Sequence, residues 1–197
     1  MTLSLFLSMA AFALAASISP GPVNIVALSS GVRFGFGASM FHVTGATFGF
    51  ALLLLLIGLR LHQLLTLWPS FTTAVQWAGI AFLLYLAYKL ATDDGRLGSD
   101  RQARPPTVFH GAAMQWLNPK AWLASVAGMG AYAGSGDPKL VWQFTLLYFL
   151  ICYVSIGCWA YAGAFLSRYL QDERRMRGFN RTMAALLAAS ALYLLLG

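Results

Sequence analysis

The chain has 197 residues, of which 59% are hydrophobic and only 10% are charged, and its formal net charge is +7. Because soluble domains carry about 25% charged residues, this composition excludes a water-soluble globule and predicts a membrane protein. The positive charge does not indicate nucleic-acid binding, since Lys and Arg fall in short loops between apolar segments rather than on one surface.

Six apolar segments follow one another along the chain, each with about the 20 residues that a membrane-spanning helix needs. They are residues 3–30, 38–59, 71–91, 109–132, 140–167 and 179–196. A signal peptide has basic residues before its apolar run, whereas the first segment here neither contains nor follows a Lys or Arg. We therefore expect this segment to be retained as a transmembrane helix. The connection 93–107 is rich in Gly, Pro, Asp and Arg and predicts a loop between two halves. We therefore expect one integral membrane domain over 1–197, with repeat 1 at about 1–92 and repeat 2 at about 108–197.

The first segment is broken by the sequence SPGPVN at residues 19–24. Two prolines there have no N–H group, so the carbonyls four residues earlier lose their helical partners. Such a break persists in lipid only where it is buried in protein or lines a wet cavity. The half-helix that follows has free N–H groups and partial positive charge at its start, which suits a carboxylate. The alternative is a proline kink that only shapes packing. The candidate binding residues here are Ser19, Pro20, Gly21, Pro22 and Asn24.

The fourth segment contains a second break at Asn118-Pro119-Lys120, and these three residues are also candidate binding residues. A cation at the bilayer centre costs roughly 2.5–3.5 kcal/mol on the insertion scale. All six acidic residues lie in loops, so the partners of Lys120 would be freed carbonyls, water or the carboxylate of a substrate. The alternative is a re-entrant or shifted helix whose Lys120 side chain extends to the lipid headgroups.

The two breaks together predict an inverted repeat. Pro20 and Pro119 interrupt the first segment of each half, and three segments per half place the second half upside down. Interrupted segments at matching positions of two halves indicate the binding site of a transporter. The sequence therefore predicts an all-α membrane protein with six transmembrane helices in two inverted three-helix repeats, in which proline breaks the first helix of each half.

Lys and Arg are distributed unevenly over the connections between segments. Most of the 13 Lys and Arg residues lie in or beside the connections that follow the first, third and fifth segments, whereas Arg60 and Lys139 lie on the opposite side. Cytoplasmic loops carry an excess of Lys and Arg. We therefore expect basic loops in the cytoplasm and both termini outside, in a multi-pass protein of the cell (inner) membrane.

Few other side chains inside the segments suggest chemistry. His42 is the one His well inside a segment; it could relay protons or make a simple polar contact. Cys152 and Cys158 lie in one segment, about 9 Å apart along a helix axis, which is too far for a disulfide bond. We therefore expect both cysteines to act as small hydrophobic residues. Gly45 and Gly49 form a GxxxG motif, which suits close helix approach.

Motifs for other chemistry are absent from the sequence. It contains no GxxxxGK[ST] nucleotide loop, no HExxH motif and no Cys/His set with metal-ligand spacing. A Ser-His-Asp constellation within the membrane is excluded because the acidic residues lie outside the segments. We therefore expect no enzyme activity, no cofactor and no metal site.

The motifs of this chain resemble those of the LysE/RhtB family of amino-acid exporters. The resemblance rests on SPGP at 19–22 followed by Asn24, a Gly-rich turn at 30–35, a QWAG…LYLAY pattern within 76–88, and LNPK at 117–120. Many members have an acidic residue where this chain has Phe50. The resemblance spans nearly the whole chain and implies export of amino acids or close derivatives across the cytoplasmic membrane, driven by an ion gradient.

The expected function is secondary transport by alternating access. The expected partners are an amino acid, a coupling ion and the lipid bilayer, without nucleic acid, and a homo-oligomer is left open. One alternative is export of another small solute or a metal ion, although the lack of embedded Asp, Glu or multiple His disfavours a hard divalent ion. The other is a membrane thiol–disulfide relay, which needs cysteines beside both breaks, whereas both cysteines lie in the fifth segment.

Overall fold

The computed structural model describes residues 2–61, 69–94, 104–134 and 137–196. Within these ranges the regular structure is helical, without a strand. Its α-helices are α1 (Leu3–Ile18), α2 (Pro22–Leu56), α3 (Pro69–Ala91), α4 (Val108–Trp116), α5 (Pro119–Ala133), α6 (Pro138–Leu166) and α7 (Glu173–Leu196). A π-helical turn, Ile57–Leu61, extends α2, and a 3-10 turn, Ser167–Tyr169, extends α6. The predicted all-α class is confirmed.

Prolines start the helices that follow both breaks. α1 ends at Ile18, and α2 starts at Pro22, in the first turn, where a missing N–H does no harm. Pro119 starts α5 in the same way, and the Asn118 side chain caps this helix by accepting a hydrogen bond of 3.2 Å from the Lys120 backbone N–H. Both predicted breaks are therefore present in the structure.

α2 folds back on itself at Gly35, whose φ of 79° and ψ of 172° interrupt the helix. Residues with a Cβ rarely adopt such a positive φ, which glycine adopts readily. The reversal brings the Ser30 and Ser39 hydroxyls to 2.8 Å, although nine residues of straight helix would span about 13.5 Å. α2 therefore consists of two antiparallel arms, 22–34 and 36–56. The expected connection between the first two segments is reduced to a turn at one glycine.

The half-helices on opposite sides of the two breaks pack against each other. The Lys120 Nζ lies 2.8 Å from the Ser19 hydroxyl at one end of the α1–α5 pair. At the other end, the Tyr132 hydroxyl lies 2.9 Å from the Ser8 hydroxyl. α5 is therefore antiparallel to α1.

A glycine motif brings α4 into backbone contact with the 36–56 arm. Gly45 and Gly49 face Val108 and Ala112, and a Cβ on Gly45 would overlap with the Val108 carbonyl. The predicted role of the GxxxG motif in close helix approach is therefore confirmed. Since residue numbers rise together on both helices, α4 runs parallel to this arm and opposite to the 22–34 arm. The two broken helices therefore run in opposite directions.

The buried core contains two main clusters. The larger one joins α1, α2, α4, α5 and α6, with Met9, Phe144 and Tyr148 among its largest buried side chains. The second joins α3 and α7 to the 22–34 arm through Ile25, Leu28, Ile80, Leu83, Ala87, Met183, Ala184, Leu187 and Ala191. The last helices of the two expected halves thus pack against each other.

Three connections meet at one end of the bundle. Arg33 forms a salt bridge of 2.9 Å with Asp93, and the Asn180 side chain donates a hydrogen bond of 3.0 Å to the other Asp93 oxygen. Leu170, which follows the 3-10 turn, packs against the same end of the 22–34 arm. The described ends of these three connections therefore lie together.

Replacing Asp93 with Ala should loosen this end of the bundle. The ion pair with the partly exposed Arg33 contributes about 0.2–1 kcal/mol, and the buried Asn180 amide loses its acceptor, which costs about 1–3 kcal/mol. Thermal unfolding in detergent should show a decrease of the midpoint, of which the ion-pair part shrinks as salt is raised. Because Arg33 and Asp93 interact, Arg33→Ala should lower the unfolding midpoint less in the Asp93→Ala protein than in the wild type. Equal decreases in the two backgrounds would show that the two residues are not coupled.

Two described helical stretches, 22–59 and 138–169, are long and apolar enough to cross a membrane by length and composition, but the turn at Gly35 divides the first of them into the arms 22–34 and 36–56. The stretches 3–18 and 77–91 are shorter apolar helices. Large apolar side chains lie exposed on the outside of the bundle, as in Phe109 at 79%, and such a surface suits contact with lipid. Because the proline breaks divide the first and fourth predicted segments, neither forms one continuous helix.

Candidate functional site

Side chains pair with the carbonyls that the first break leaves open. The Ser19 hydroxyl donates to the Ala16 carbonyl at 3.2 Å, and the Trp159 indole N–H donates to the Ile18 carbonyl at 3.0 Å. In a continuous helix these two carbonyls would accept from the backbone N–H groups of residues 20 and 22, but both residues are prolines and have no N–H. Since Trp159 belongs to α6, the break depends on a helix far away in the sequence.

Asn24 ties the start of α2 to the end of α1. Its side-chain NH₂ group donates to the Ser17 and Ser19 carbonyls, both at 2.9 Å, and the residue is buried. The predicted binding residue Asn24 therefore uses both of its side-chain N–H groups to hold the break. The groups of Asn24 that could still bind a ligand are its backbone N–H and its amide oxygen.

Replacing Asn24 with Ala should destabilise the fold clearly. The change leaves the buried Ser17 carbonyl without its donor, and a loss of this kind costs about 1–3 kcal/mol. The Ser19 carbonyl also loses a bond but keeps the one from Lys120. A matched control is Asn180→Ala, because Asn180 is also buried but donates a single side-chain hydrogen bond within the described residues, near the end of the bundle. Thermal unfolding in detergent should give the larger decrease for Asn24→Ala, and equal decreases would argue against this role.

Lys120 reaches from the second break to the first. Its Nζ donates to the carbonyl and hydroxyl oxygens of Ser19, each at 2.8 Å, and lies 3.4 Å from the Pro20 carbonyl oxygen. Gly21 leaves room for this side chain, since a Cβ there would lie 3.3 Å from the Lys120 Cδ and Nζ. The ammonium group therefore contacts the first break, whereas the alternative arrangement would extend it toward the headgroups.

Residues close in sequence secure the second break. The Gln115 carbonyl, which Pro119 leaves open, accepts from the Asn118 backbone N–H at 3.2 Å. The Asn118 side chain donates to the Gln115 amide oxygen at 3.4 Å, and the Trp122 indole N–H donates to the Trp116 carbonyl at 2.8 Å. The second break is therefore held locally, in contrast to the first.

A cavity of about 40 Å³ lies between the breaks, and Gly21, Asn24, Asn118 and Lys120 are among its lining residues. A buried water needs about 10–15 Å³ of such space. The cavity therefore has room for a few water molecules but is too small for an amino acid in this conformation. Lys120 is the only charged residue among the described lining residues.

The start of α2 adds positive potential to this cavity. The first N–H groups of a helix have no intrahelical partner, and Pro22 has no N–H, so those of Val23 and Asn24 stay available. Both residues line the cavity. Together with the Lys120 ammonium and the helix dipole, these N–H groups favour a carboxylate at the breaks.

The structure brings the predicted binding residues together but assigns them unequal parts. Ser19, Pro20, Gly21 and Lys120 contact one another across the breaks, Asn24 and Asn118 line the cavity, and Pro22 and Pro119 start the helices. Whether they bind substrate stays a prediction. The shared location follows from the opposite directions of the two broken helices.

His42 lies near the break but outside the cavity lining. Its side chain is fully buried, and its Nε2 lies 3.3 Å from the carbonyl oxygen of Val23. This is the simple polar contact that the sequence allowed. The proton-relay role of His42 stays a prediction.

One face of α6 is a part of the site that the sequence did not indicate. Tyr148, Cys152 and Ile156 line the cavity. The sequence predicts a small hydrophobic role for Cys152, and the residue is indeed buried with a free thiol, but it forms part of the cavity wall. Because α6 is largely apolar on all sides, no periodicity separates its cavity face from its outer face.

Metal and thiol chemistry find little support in the described part of the chain. No group of three or more His, Cys, Asp or Glu side chains there could hold a metal ion. Cys152 is buried and Cys158 is exposed, and both thiols are free. A thiol–disulfide relay would need a second thiol at the breaks, and the cavity lining includes only Cys152.

Paired helix breaks around an internal cavity are an architecture of membrane transporters. Residues 14–197 match the family described as LysE type translocator, and the chain belongs to this family. It is 30% identical to the "Cysteine/O-acetylserine efflux protein" of Escherichia coli (strain K12) and to that of Shigella sonnei (strain Ss046), over 193 residues and 97% of each chain. The protein of the same description from Escherichia coli O1:K1 / APEC is 29% identical over the same coverage. No solved structure matches the chain. The family and these relatives support an amino-acid exporter of the membrane rather than an enzyme.

Proposed function

We propose that this protein is a secondary transporter that exports short, uncharged amino acids or their close derivatives, of the cysteine and O-acetylserine type, across the cell (inner) membrane. The observation that carries the proposal is the Lys120 ammonium beside the cavity, 2.8 Å from both oxygens of Ser19. None of the described lining residues is acidic. A substrate therefore has to bring its own carboxylate.

The carboxylate would bind between the two breaks. It would replace the Ser19 oxygens as acceptor from Lys120, in a charge-assisted hydrogen bond, and would accept from the N–H groups of Val23 and Asn24 at the start of α2. The substrate's amino group would donate to a neutral oxygen at the cavity wall, the Gln115 amide oxygen, whose second lone pair is left beside its bond from Asn118.

Substrate binding would also release the bridge between the broken helices. Without a carboxylate, Lys120 holds the two breaks together through Ser19 and Pro20. The cavity must enlarge to admit an amino acid, so the breaks have to move apart on at least one side. Exchange of the Lys120 partners would couple binding to the rocking of one half against the other in alternating access.

The proposed architecture is six transmembrane spans in two inverted three-helix repeats, joined by a cytoplasmic loop at 93–107. Two features support it: the broken helices run in opposite directions, and α3 packs against α7. The gathering of Arg33, Asp93 and Asn180 at one end supports a common side for the basic loops. That side would be cytoplasmic and both termini would lie outside.

A proton gradient is the proposed energy source, with His42 as a relay. In support, the His42 Nδ1 is buried without a hydrogen-bond partner among the described residues, while its Nε2 faces the start of α2. His42→Gln should then preserve substrate binding and abolish the acceleration of efflux by a proton gradient. Unchanged acceleration in this variant would remove His42 from the coupling.

Efflux from loaded cells tests the proposed function. Cells that express the protein should release labelled L-serine, O-acetyl-L-serine or L-cysteine faster than control cells, and collapse of the proton gradient should slow this release. A panel with L-lysine, L-leucine and divalent cations separates the alternatives. If none of the amino acids leaves faster than from control cells, the proposal is wrong. If Asn24→Ala and Lys120→Ala both export at the wild-type rate, the site is wrong.

Cysteine labelling tests the proposed orientation. In a variant with both native cysteines replaced by serine, Thr2→Cys should react with a membrane-impermeant maleimide added outside intact cells. Arg174→Cys, at an exposed position in the first turn of α7, should react only after the cells are opened. The reverse pattern would show that the orientation is inverted.

A further inference from the structure

The cavity wall contributed by α6 is a regular stripe of three side chains. Tyr148, Cys152 and Ile156 are four residues apart, so they share one face of the helix. All three are buried, with 2%, 3% and 2% of their surfaces exposed, and all three line the cavity. The stripe mixes a phenol, a thiol and an alkyl group without a formal charge.

Two residues from other helices complete this part of the cavity. The Phe50 ring from the 36–56 arm packs on the Tyr148 ring, with centroids 4.6 Å apart. Ser17 from α1 is only 8% exposed and lines the cavity. Its hydroxyl lies beside the Tyr148 phenol and the Cys152 thiol but makes no hydrogen bond of ordinary length and angle with a described residue. A buried hydroxyl without a partner costs stability. Its position therefore suits a polar group of a bound ligand.

We propose that Ser17 and the α6 stripe of Tyr148, Cys152 and Ile156 form the subsite that selects the substrate's side chain, with Cys152 setting the length it accepts. This inference rests on the proposed function, in which Lys120 and the start of α2 hold the carboxylate. A charged side chain is rejected because this wall offers it no counter-charge. A short side chain with one polar atom fits, because Ser17 can donate to it or accept from it.

Cys152 is the adjustable position in this wall. Tyr148 is fixed against Phe50, while the cysteine is the smallest side chain of the stripe. Leucine at 152 would occupy space that the substrate's side chain needs, and alanine would enlarge that space. One methylene in a tight pocket changes selectivity about 10- to 200-fold.

Competitive efflux tests the subsite directly. Cys152→Leu should raise the ratio of L-alanine efflux to O-acetyl-L-serine efflux about tenfold or more, whereas Cys152→Ala should leave it equal or lower it. The matched control is Cys158→Leu, the same substitution on the same helix at an exposed position, and it should leave the ratio unchanged. An unchanged ratio in Cys152→Leu protein that folds normally would overturn the inference.

Alkylation of Cys152 provides a second readout that does not require transport. In purified Cys158→Ser protein the one remaining thiol is Cys152, and O-acetyl-L-serine at ten times its Kd should slow its reaction with N-ethylmaleimide about tenfold by mass action. In Cys152→Ser protein the reaction of Cys158 should not respond to the ligand. Equal rates for Cys152 with and without the ligand would contradict the subsite.

The two experiments separate failure of this inference from failure of the proposed function. If the protein does not export amino acids, the wild type gives no efflux of any amino acid in the panel. If it exports them through another side-chain subsite, wild-type efflux is present, but the Cys152 variants keep the wild-type ratio and Cys152 is not protected. Changed ratios together with protection support the subsite.

Discussion

Replacing Lys120 with Met should lower the rate of amino-acid efflux about tenfold to a hundredfold. In the proposed site the ammonium donates to the substrate carboxylate, and a hydrogen bond to a charged group contributes about 1.5–3 kcal/mol, which corresponds to that range. The fold should survive the change. The Ser19 carbonyl keeps its bond of 2.9 Å from Asn24, and replacing a half-buried charge with an apolar chain of similar length is often nearly neutral. Efflux of labelled L-serine and thermal unfolding should be measured on the same preparation.

Two further lysine variants sharpen this prediction. Lys120→Arg keeps the charge but adds bulk where the side chain already packs against Gly21, so it should retain only part of the activity. Lys139→Met removes an exposed lysine at the start of α6 and should export at the wild-type rate. Wild-type efflux by folded Lys120→Met protein would show that the carboxylate binds elsewhere.

Replacing Gly163 with Ala should prevent α6 from packing against the 22–34 arm. A Cβ on Gly163 would overlap with the Leu28 carbonyl and lie 3.0 Å from the Val32 nitrogen, and a Cβ on Gly31 would overlap with the Ala160 carbonyl. Each glycine thus faces the backbone of the other helix, where no side chain can move aside. Overpacking costs about 1–3 kcal/mol, occasionally more, so the yield of folded protein after detergent extraction should fall sharply.

Gly157→Ala is the matched control on the same helix. No atom lies within 4 Å of a Cβ built there, and alanine favours a helix over glycine by about 1 kcal/mol. This variant should therefore elute and unfold like the wild type or be slightly more stable. The packing argument would be refuted by similar losses for Gly157→Ala and Gly163→Ala, as judged by size-exclusion chromatography and thermal unfolding.

The Lys120 and Gly163 predictions separate binding from packing. The Lys120 variant should fold normally but export more slowly, whereas the Gly163 variant should give much less folded protein. The distinction follows from their surroundings, because Lys120 faces a cavity that can accept a different side chain, while Gly163 faces backbone. The helix contacts made possible by Gly31 and Gly163 bring Trp159 of α6 to the Ile18 carbonyl and thereby hold the first break open.

The sequence by itself determined the membrane class, the two breaks and the family. These features are local, because a proline lacks its N–H wherever it stands, and composition is independent of the fold. The close helix contact at Gly45 and Gly49 could also be predicted from the sequence, since residues four apart share a helix face. The charge of Lys120 and the lack of an embedded acid also follow from the sequence, so the preference for a carboxylate could be predicted.

The tertiary structure alone decided which residues meet at the breaks. Three features of the site join parts of the chain that are distant in sequence. They are the Lys120 contact with Ser19, the Trp159 bond to Ile18 and the position of Cys152 in the cavity wall. In a helix that is apolar on all sides, residues facing lipid and residues facing the core are chemically alike, so periodicity does not identify the inner face. The positions of these residues depend instead on how closely the glycine-mediated contacts let the helices approach, which is a property of the packed bundle.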